Sequence, residues 1–195
     1  LGLSELLTAI RALVRTTPTR NTNGNPRFLI DRRFTVPGTG CVATGTLLNG
    51  QVSFAQQTPL TIAPSGGTVR LRGMQMDGQT VTEIKSGQRA ALNLAGELDN
   101  AHPQRGDWLL TAETNQVSQR LEMHLNVLAE QNIHRGTLQI LTGASTVSGR
   151  LVWLDESAGL AQLLLDKAIH SIAGDAVIVR DPATNTTLAG GRVID

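Results

Sequence analysis

The stretch FLIDRRFTVPGTGCVATGTLLNG, residues 28–50, decides the fold of this chain. Apolar and polar residues alternate on both sides of Gly38-Thr39-Gly40, as in two antiparallel strands joined by a tight turn. The letters from Gly38 to Ala43 also match the dinucleotide-binding pattern G-x-G-x-x-G/A, but that pattern needs a helix after the glycines. The β-rich VATGTLL follows instead. We therefore interpret these glycines as a tight turn with close backbone approach.

Strand-like alternation continues through most of the chain after Pro26. Asn49-Gly50 is predicted to be a type I′ hairpin turn, and Asp77-Gly78 also marks a turn. Short strands at this spacing favour closed antiparallel barrels, which leave no exposed sheet edge. The sequence therefore predicts a mainly β fold, with two consecutive antiparallel β-barrels preceded by one short N-terminal helix. We place the barrels at residues 26–112 and 113–195.

The first residues have a different periodicity. Leu1 to Val14 carries leucine, isoleucine and valine at helical spacing, with Ser4 as a candidate N-cap. An isolated helix of this length is marginal in water, so it requires a partner surface. We assign residues 1–17 to the helix and 18–25, which are polar and rich in turn residues, to a linker.

Composition excludes several classes of site. The chain has 17 basic and 16 acidic residues, so net charge alone does not indicate a nucleic-acid-binding protein. A single cysteine, Cys41, excludes an intramolecular disulfide and a cysteine-based zinc site. No apolar run has membrane-spanning length and no leader pattern is present, so we expect a cytoplasmic protein without a membrane partner.

No catalytic or metal-binding motif stands out. The phosphate-binding pattern G-x-x-x-x-G-K-[ST] does not occur in the sequence. The four histidines, His102, His124, His134 and His170, have no metal-ligand spacing, and structural roles are expected for them. Cys41 is expected to be a small buried residue. We predict no catalytic residue, no metal and no cofactor in this chain.

A charged group on the two predicted strands is more informative. Asp31, Arg32 and Arg33 lie on the first of them, and Arg89 lies on a later strand. In a regular strand Arg32 would point away from both Asp31 and Arg33. From the residues alone, a solvated barrel face with an incidental ion pair remains the simpler interpretation.

The glycine-rich stretch resembles the opening of domain two of the translational GTPases. That pattern is filled by Phe28, Asp31, Phe34, Val36, Gly38, Gly40, Val42, Gly45 and Gly50. Within the superfamily, Asp31-Arg32 together with GQRAALNLAG at residues 87–96 is most similar to the selenocysteine-specific elongation factors. The segment from Gly174 to Asp195 resembles the end of their domain three. The resemblance makes this chain a fragment containing the last helix of a missing GTPase domain, domain two and domain three.

The resemblance implies a function and a site. The family binds selenocysteyl-tRNA for selenocysteine incorporation at UGA codons, and positions matching Asp31, Arg32 and Arg89 line its aminoacyl pocket. Domain three carries the tRNA stem, for which Arg135, Arg150 and Arg192 are candidate phosphate contacts. GTP and Mg²⁺ would belong to the missing GTPase domain, so the fragment itself would not be an enzyme. The ribosome and, through missing C-terminal domains, a messenger-RNA hairpin are the further expected partners.

Three other interpretations remain open on sequence. One is an undetected hydrolase, which predicts a pocket with a nucleophile and a base within hydrogen-bond reach. The chain could be domains two and three of a general factor such as elongation factor Tu, which lacks this charge set. It could also be a non-catalytic barrel pair that serves as a protein-interaction module, which predicts an exposed apolar patch and no tRNA binding.

Overall fold

The computed structural model describes residues 2–18, 20, 22–96, 102–129, 131–133 and 136–195. One α-helix, α1 (Leu3–Thr16), precedes a series of β-strands. The strands of the first half are β1 (Arg27–Val36), β2 (Gly40–Asn49), β3 (Gln51–Ser53), β4 (Leu60–Ala63), β5 (Thr68–Met76), β6 (Gln79–Val81), β7 (Glu83–Lys85), β8 (Arg89–Gly96) and β9 (Trp108–Leu110). Those of the second half are β10 (Val117–Val127), β11 (Leu138–Thr142), β12 (Ser145–Asp155), β13 (Leu160–His170), β14 (Ala176–Arg180) and β15 (Thr187–Val193). Short 3-10 helices cover Phe54–Gln56 and Ala112–Thr114.

The first half forms a closed antiparallel barrel. Its strand order is β4-β9-β1-β2-β8-β5, and β5 pairs back onto β4 to close the ring. The closure is short, with two residue pairs between β4 and β5, whereas β1 and β2 share nine. The alternating residues of each strand point into one apolar core. That core includes Phe28, Ile30, Leu47, Ile62, Met74, Leu92, Leu94 and Leu109.

The second half forms another closed barrel, with strand order β10-β13-β12-β11-β14-β15. Its own core is fully separate and includes Leu121, Met123, Leu138, Ile140, Leu163, Val177 and Val179. The predicted mainly β fold, two antiparallel barrels after one helix, is confirmed.

The two predicted turns with glycine in second position, Asp77-Gly78 and Asn49-Gly50, have different structures. Asp77 and Gly78 both have positive φ, at 50° and 77°, and they join β5 to β6 as a two-residue hairpin. The predicted hairpin at Asn49-Gly50 is wrong. β2 and β3 do not pair, because β3 pairs with β7, and only Gly50 of the two residues has positive φ. A Cβ at Gly50 would lie 2.8 Å from the nitrogen of Pro26, so this glycine makes room for the linker.

The turn at Gly38-Thr39-Gly40 is confirmed as tight. Thr39 donates its backbone N–H to Val36, and both glycines have positive φ. The close backbone approach predicted there is wrong, because a Cβ at either glycine would meet open space.

The N-cap of helix α1 lies two residues before the predicted one. Gly2 is at the N-cap position with φ 86° and no side-chain cap bond, while the Ser4 hydroxyl donates to the Glu5 carboxylate inside the helix. The prediction of Ser4 as N-cap is therefore wrong. All residues of the helix are exposed, including its apolar leucines. Within the described residues, no helix has both the length and the apolar composition needed to cross a bilayer.

A buried arginine joins the two barrels. Arg27, the first residue of β1, donates from Nη1 and Nη2 to the two carboxylate oxygens of Asp175, at 3.1 and 2.7 Å. Its Nε–H donates to Nε2 of His170 at 3.2 Å, and its guanidinium carbon lies 4.3 Å from the centre of the Trp108 ring. Because Asp175 and His170 belong to the second barrel, this one side chain fixes where the ends of the two barrels meet.

His170 is held in its neutral form by the same cluster. Its Nδ1–H donates to the carbonyl of Gln116 at 2.8 Å, which leaves Nε2 as the acceptor for Arg27. Burial lowers the pKa of His170 from its ordinary value of 6.5, and the charge of Arg27 lowers it further, against the raising effects of the Gln116 bond and the Asp175 charge. Protonation would place an imidazolium against the guanidinium.

The lowered pKa predicts a loss of stability in mild acid. Below about pH 6.5, His170 binds a proton in the unfolded chain but not in the folded chain, whose His170 has the lower pKa. The free energy of unfolding should therefore fall as the pH falls. The slope from one such group is at most about 1.4 kcal/mol per pH unit and ends at the folded-state pKa. Urea unfolding between pH 7.5 and 5.5 in a Trp153→Phe background, followed by Trp108 fluorescence, would measure it.

The matched control is His170→Gln, whose amide does not titrate. Subtracting the two stability profiles isolates the contribution of this histidine from all other titrating groups. Parallel profiles for the two proteins over this pH range would contradict the prediction.

Candidate functional site

A β-bulge in β1 places three charged residues around one cavity. Ile30 pairs with Gly45 and Arg32 pairs with Thr44, so Asp31 is an extra residue without a partner in β2. The bulge interrupts the alternation between Asp31 and Arg32, on which the prediction that these two side chains point apart depended, whereas Arg32 and Arg33 stay in regular register with Thr44 and Ala43. All three side chains line the same cavity of about 650 Å³.

Gly45 permits the close approach of β1 and β2 beside this bulge. A Cβ at Gly45 would collide with the carbonyl oxygen of Leu29, and it would lie 2.7 Å from the ring of Phe28. A larger residue would push β1 away from β2 at the point where Asp31 leaves the ladder. The glycine is therefore part of the local geometry that presents Asp31.

Asp31 and Arg89 form a two-pronged ion pair on the outer face of the first barrel. Nε and Nη2 of Arg89 donate to Oδ2 and Oδ1 of Asp31, at 2.8 and 3.0 Å. The hydroxyl of Thr44 donates to Oδ1 at 2.8 Å. The Arg89 bond is the main cause that lowers the pKa of Asp31, with smaller contributions from Thr44 and from the charges of Arg89 and Arg32. The carboxylate likewise raises the pKa of Arg89.

The exposure of this ion pair limits how much it stabilises the fold. The side chain of Arg89 is 60% exposed and that of Asp31 is 34% exposed. Pairs at such positions contribute about 1 kcal/mol or less to folding. What the pair does fix is the direction of the Arg89 guanidinium, whose Nη1 makes no hydrogen bond in the part of the chain that is described.

The far wall of the cavity comes from residues that the sequence did not point to. His102, Pro103, Gln104 and Arg105 line it, opposite the bulge. Nη2 of Arg33 lies 3.4 Å from Nδ1 of His102, and Nη1 of Arg105 lies 3.4 Å from the carbonyl oxygen of Asp31. No spacing rule links a loop at 102–105 to a strand at residue 31, so only the fold brings them together.

A second groove lies on the same outer face of β8. It has a volume of about 410 Å³, and Phe34, Val42, Met74 and Asn93 are among its lining residues. Oδ1 of Asn93 is buried and has no hydrogen-bond partner among the residues that the structure describes. A buried acceptor without a donor is costly, so this oxygen is a site for a donor group from a ligand. Arg89 and Asn93 are four residues apart on one strand, which spaces them by about 13 Å.

The candidate arginines of the second barrel are not brought together. Arg150 is exposed on β12, and Arg192 is exposed on β15 with Nη1 donating to the carbonyl of Gly174 at 2.7 Å. Three steps around the six-stranded ring separate β12 from β15, so the two side chains lie on opposite sides of the barrel. The third candidate, Arg135, lies outside the described residues.

The remaining polar candidates have structural positions. Cys41 is buried in β2, as predicted. His170 is buried between the barrels, His124 is exposed on β10, and His134 lies outside the described residues. Across the described ranges, no group of three or more potential metal ligands occurs.

Comparison with known proteins gives a consistent result. Residues 118–195 match the family model described as "Selenocysteine-specific elongation factor, beta-barrel domain". The selenocysteine-specific elongation factor of Escherichia coli (strain K12) is 35% identical over 172 residues, which cover 86% of this chain and 26% of that protein. The chain therefore spans about a quarter of the length of this relative.

Solved structures agree with the sequence comparison. A crystal structure of a bacterial selenocysteine-specific elongation factor superimposes with a TM-score of 0.83 and 27% identity, over 98% of this chain and 31% of that one. The translation elongation factor SelB from Methanococcus maripaludis, in complex with the GTP analogue GppNHp, superimposes with a TM-score of 0.82 over all of this chain and 48% of that one. At 20% identity, the second comparison supports the fold alone.

The geometry of the ion pair predicts how Asp31 titrates. Replacing Arg89 with glutamine should raise the pKa of Asp31 toward its ordinary value, because the largest cause of its lowering is removed. Titration of the carboxyl carbon by NMR would measure the shift. Arg32→Gln is the matched control, since Arg32 acts on Asp31 through its charge alone and is the smallest of the causes. An equal rise in both variants would contradict the hydrogen-bonded geometry.

Proposed function

The chain belongs to the family of selenocysteine-specific elongation factors, and from that premise we propose that its first barrel holds the aminoacyl end of selenocysteyl-tRNA. The selenocysteyl side chain lies in the cavity beside Asp31, Arg32 and Arg89. The observation that carries this proposal is the two-pronged Asp31–Arg89 pair at the edge of an arginine-lined cavity.

The chemistry of the side chain supplies the physical reason. A selenol is more acidic than a thiol and is largely ionised at neutral pH, whereas the hydroxyl of serine is neutral. Guanidinium groups favour the anion, and a carboxylate fixes one of them in position. Each charge-assisted hydrogen bond contributes about 1.5–3 kcal/mol, so two such bonds give roughly 10²–10⁴-fold discrimination against serine.

Each member of the charged set then has its own task. Asp31 is a positioning residue, because its two carboxylate oxygens accept hydrogen bonds from Arg89 and Thr44. Arg89 contacts the selenolate through the N–H groups that Asp31 leaves free. Arg32, placed on the same cavity by the bulge, supplies the second cation.

The groove beside Asn93 fits the terminal nucleotide of the tRNA. The aminoacyl group is esterified to the ribose of that nucleotide, so the base must lie within a short distance of the cavity. The groove offers apolar walls from Phe34 and Val36 for a flat base, and the unpaired Oδ1 of Asn93 can accept from an exocyclic amino group.

Other functions of the family are assigned to parts of the protein beyond these barrels. We place the binding of GTP and Mg²⁺ and the hydrolysis of GTP in the GTPase domain, and recognition of the messenger-RNA hairpin in C-terminal domains. The exposed apolar side chains of α1 are consistent with a helix that packs on that GTPase domain. Delivery of the tRNA to the ribosome then occurs in the cytoplasm.

The proposal predicts a preference that depends on Arg89. In the complete protein, in its GTP form and under reducing conditions, we expect tighter binding of selenocysteyl-tRNA than of seryl-tRNA with the same tRNA body. Arg89→Ala should lower this ratio of affinities by about tenfold or more, because one charge-assisted bond is lost and Asp31 is left facing the selenolate. Equilibrium binding at one fixed salt concentration measures both affinities.

Arg70→Ala is the matched control for that experiment. Arg70 is an exposed arginine on β5 of the same barrel and does not line the cavity, so its loss should leave the ratio unchanged. Equal affinity of the wild-type protein for the two tRNAs would place the chain functionally with the general elongation factors instead.

The second barrel is proposed to bind the tRNA stem through phosphate contacts. Because Arg150 and Arg192 lie on opposite sides of the barrel, one RNA helix cannot use both. Arg192 already donates to Gly174, so Arg150 is the better candidate. Arg150→Gln should weaken binding of both tRNAs equally and reduce the slope of log affinity against log salt by about 1. Arg192→Gln serves as the control, and an effect of Arg192→Gln alone would place the RNA on the opposite side.

A further inference from the structure

The loop that forms the far wall of the cavity is tightly attached to β1. The backbone N–H of Gly106 donates to the carbonyl of Ile30 at 2.9 Å, and the N–H of Ile30 donates to Asp107 at 2.9 Å. Inside the loop, the N–H of Gln104 donates to the carboxylate of Asp107 at 2.8 Å. These bonds lie directly beside the bulge, so the loop and Asp31 form one rigid rim.

Arg105 projects from this rim into a region of uncompensated positive charge. The carboxylate of Asp31 is occupied by Arg89. Three further guanidinium groups, those of Arg32, Arg33 and Arg105, line the cavity, and none of them has a carboxylate partner among the described residues. Nη1 of Arg105 is anchored on the backbone carbonyl of Asp31, which keeps the guanidinium at the cavity without neutralising it.

The second barrel supports the loop from behind. The hydroxyl of Ser145, the first residue of β12, donates to the carbonyl of Gly106 at 2.9 Å. Gly106 has φ 93°, and a Cβ there would lie 2.9 Å from Cα of Ser145. Gly106, the neighbour of Arg105 in the chain, therefore packs against Ser145 of the second barrel. The position of Arg105 depends on that contact.

We propose that Arg105 is a specificity-determining residue of the cavity and that Ser145 of the second barrel positions it. Arg105 contacts the anionic side chain of the bound aminoacyl group from the loop wall of the cavity, and Arg89, held by Asp31 at the edge of the cavity, supplies another guanidinium group to the same anion. Ser145 acts only through Gly106 and does not touch the ligand. This inference rests on the proposed function, since it needs an anionic aminoacyl group in the cavity.

The experiment measures the ratio of affinities for selenocysteyl-tRNA and seryl-tRNA in the complete GTP-bound protein. Arg105→Gln should lower the ratio about tenfold or more while the affinity for seryl-tRNA stays within about twofold, because serine offers no charge to the guanidinium. Arg105→Lys should recover part of the ratio, since it restores the charge without the planar fork. Arg70→Gln is the control for the general loss of one positive charge from this barrel.

The positioning role is tested by combining substitutions. Ser145→Ala should lower the ratio less than Arg105→Gln does, and the double variant should behave like Arg105→Gln alone, because the two residues act through one contact. Additive losses in the double variant would overturn the role of Ser145.

The outcomes separate this inference from the proposed function. An unchanged ratio in Arg105→Gln together with a collapsed ratio in Arg89→Ala would overturn the role of Arg105 and leave the proposed function standing. No preference in the wild-type protein would overturn both. Unchanged thermal unfolding of Arg105→Gln, expected for an exposed side chain, shows that a lower ratio does not come from misfolding.

Discussion

The arrangement of the two barrels depends on the burial of one charged side chain, Arg27. Removing a guanidinium from water is expensive, and the cost is offset only when its hydrogen-bond donors and its flat face all find partners. Asp175, His170 and Trp108 provide them from both barrels. Few relative orientations of two rigid barrels can satisfy such a set at once. The cluster therefore selects an orientation, and it is this orientation that brings Ser145 against the loop at Gly106.

The candidate site uses a departure from regular β-structure within an otherwise regular barrel. The ring of paired strands satisfies the backbone and fills the core, and the single extra residue at Asp31 lies where three consecutive charged residues line one cavity. The site thus needs both the rigidity of the barrel and the local irregularity, with Gly45 allowing the strands to stay close at that point.

Sequence patterning predicted the architecture well, because period-two alternation and glycine-containing turns are local signals. Asp77-Gly78 and Asn49-Gly50 look alike in sequence, yet only the first closes a hairpin, since strand pairing is decided by the whole barrel. The roles of Asp31 and Arg89 in binding stay predictions from the resemblance, and the hydrogen bonds between them could not be predicted from the residues alone. The bulge, the loop at 102–105 and the Arg27 cluster escaped prediction because each depends on contacts between distant parts of the chain. Arg27 and Asp175, for example, are 148 positions apart.

The short closure between β4 and β5 has a consequence for the motions of the first barrel. Two residue pairs hold this junction, so it is where the ring can open with the least loss of hydrogen bonds. In the circular strand order it lies opposite the junction of β1 and β2, which carries the bulge at Asp31, whereas β8 pairs directly with β5. Transient opening there would expose amides of β4 and β5 to exchange with solvent while β1 and β2 stay paired. Breathing of the barrel at this junction is therefore directed away from the bulge that presents Asp31.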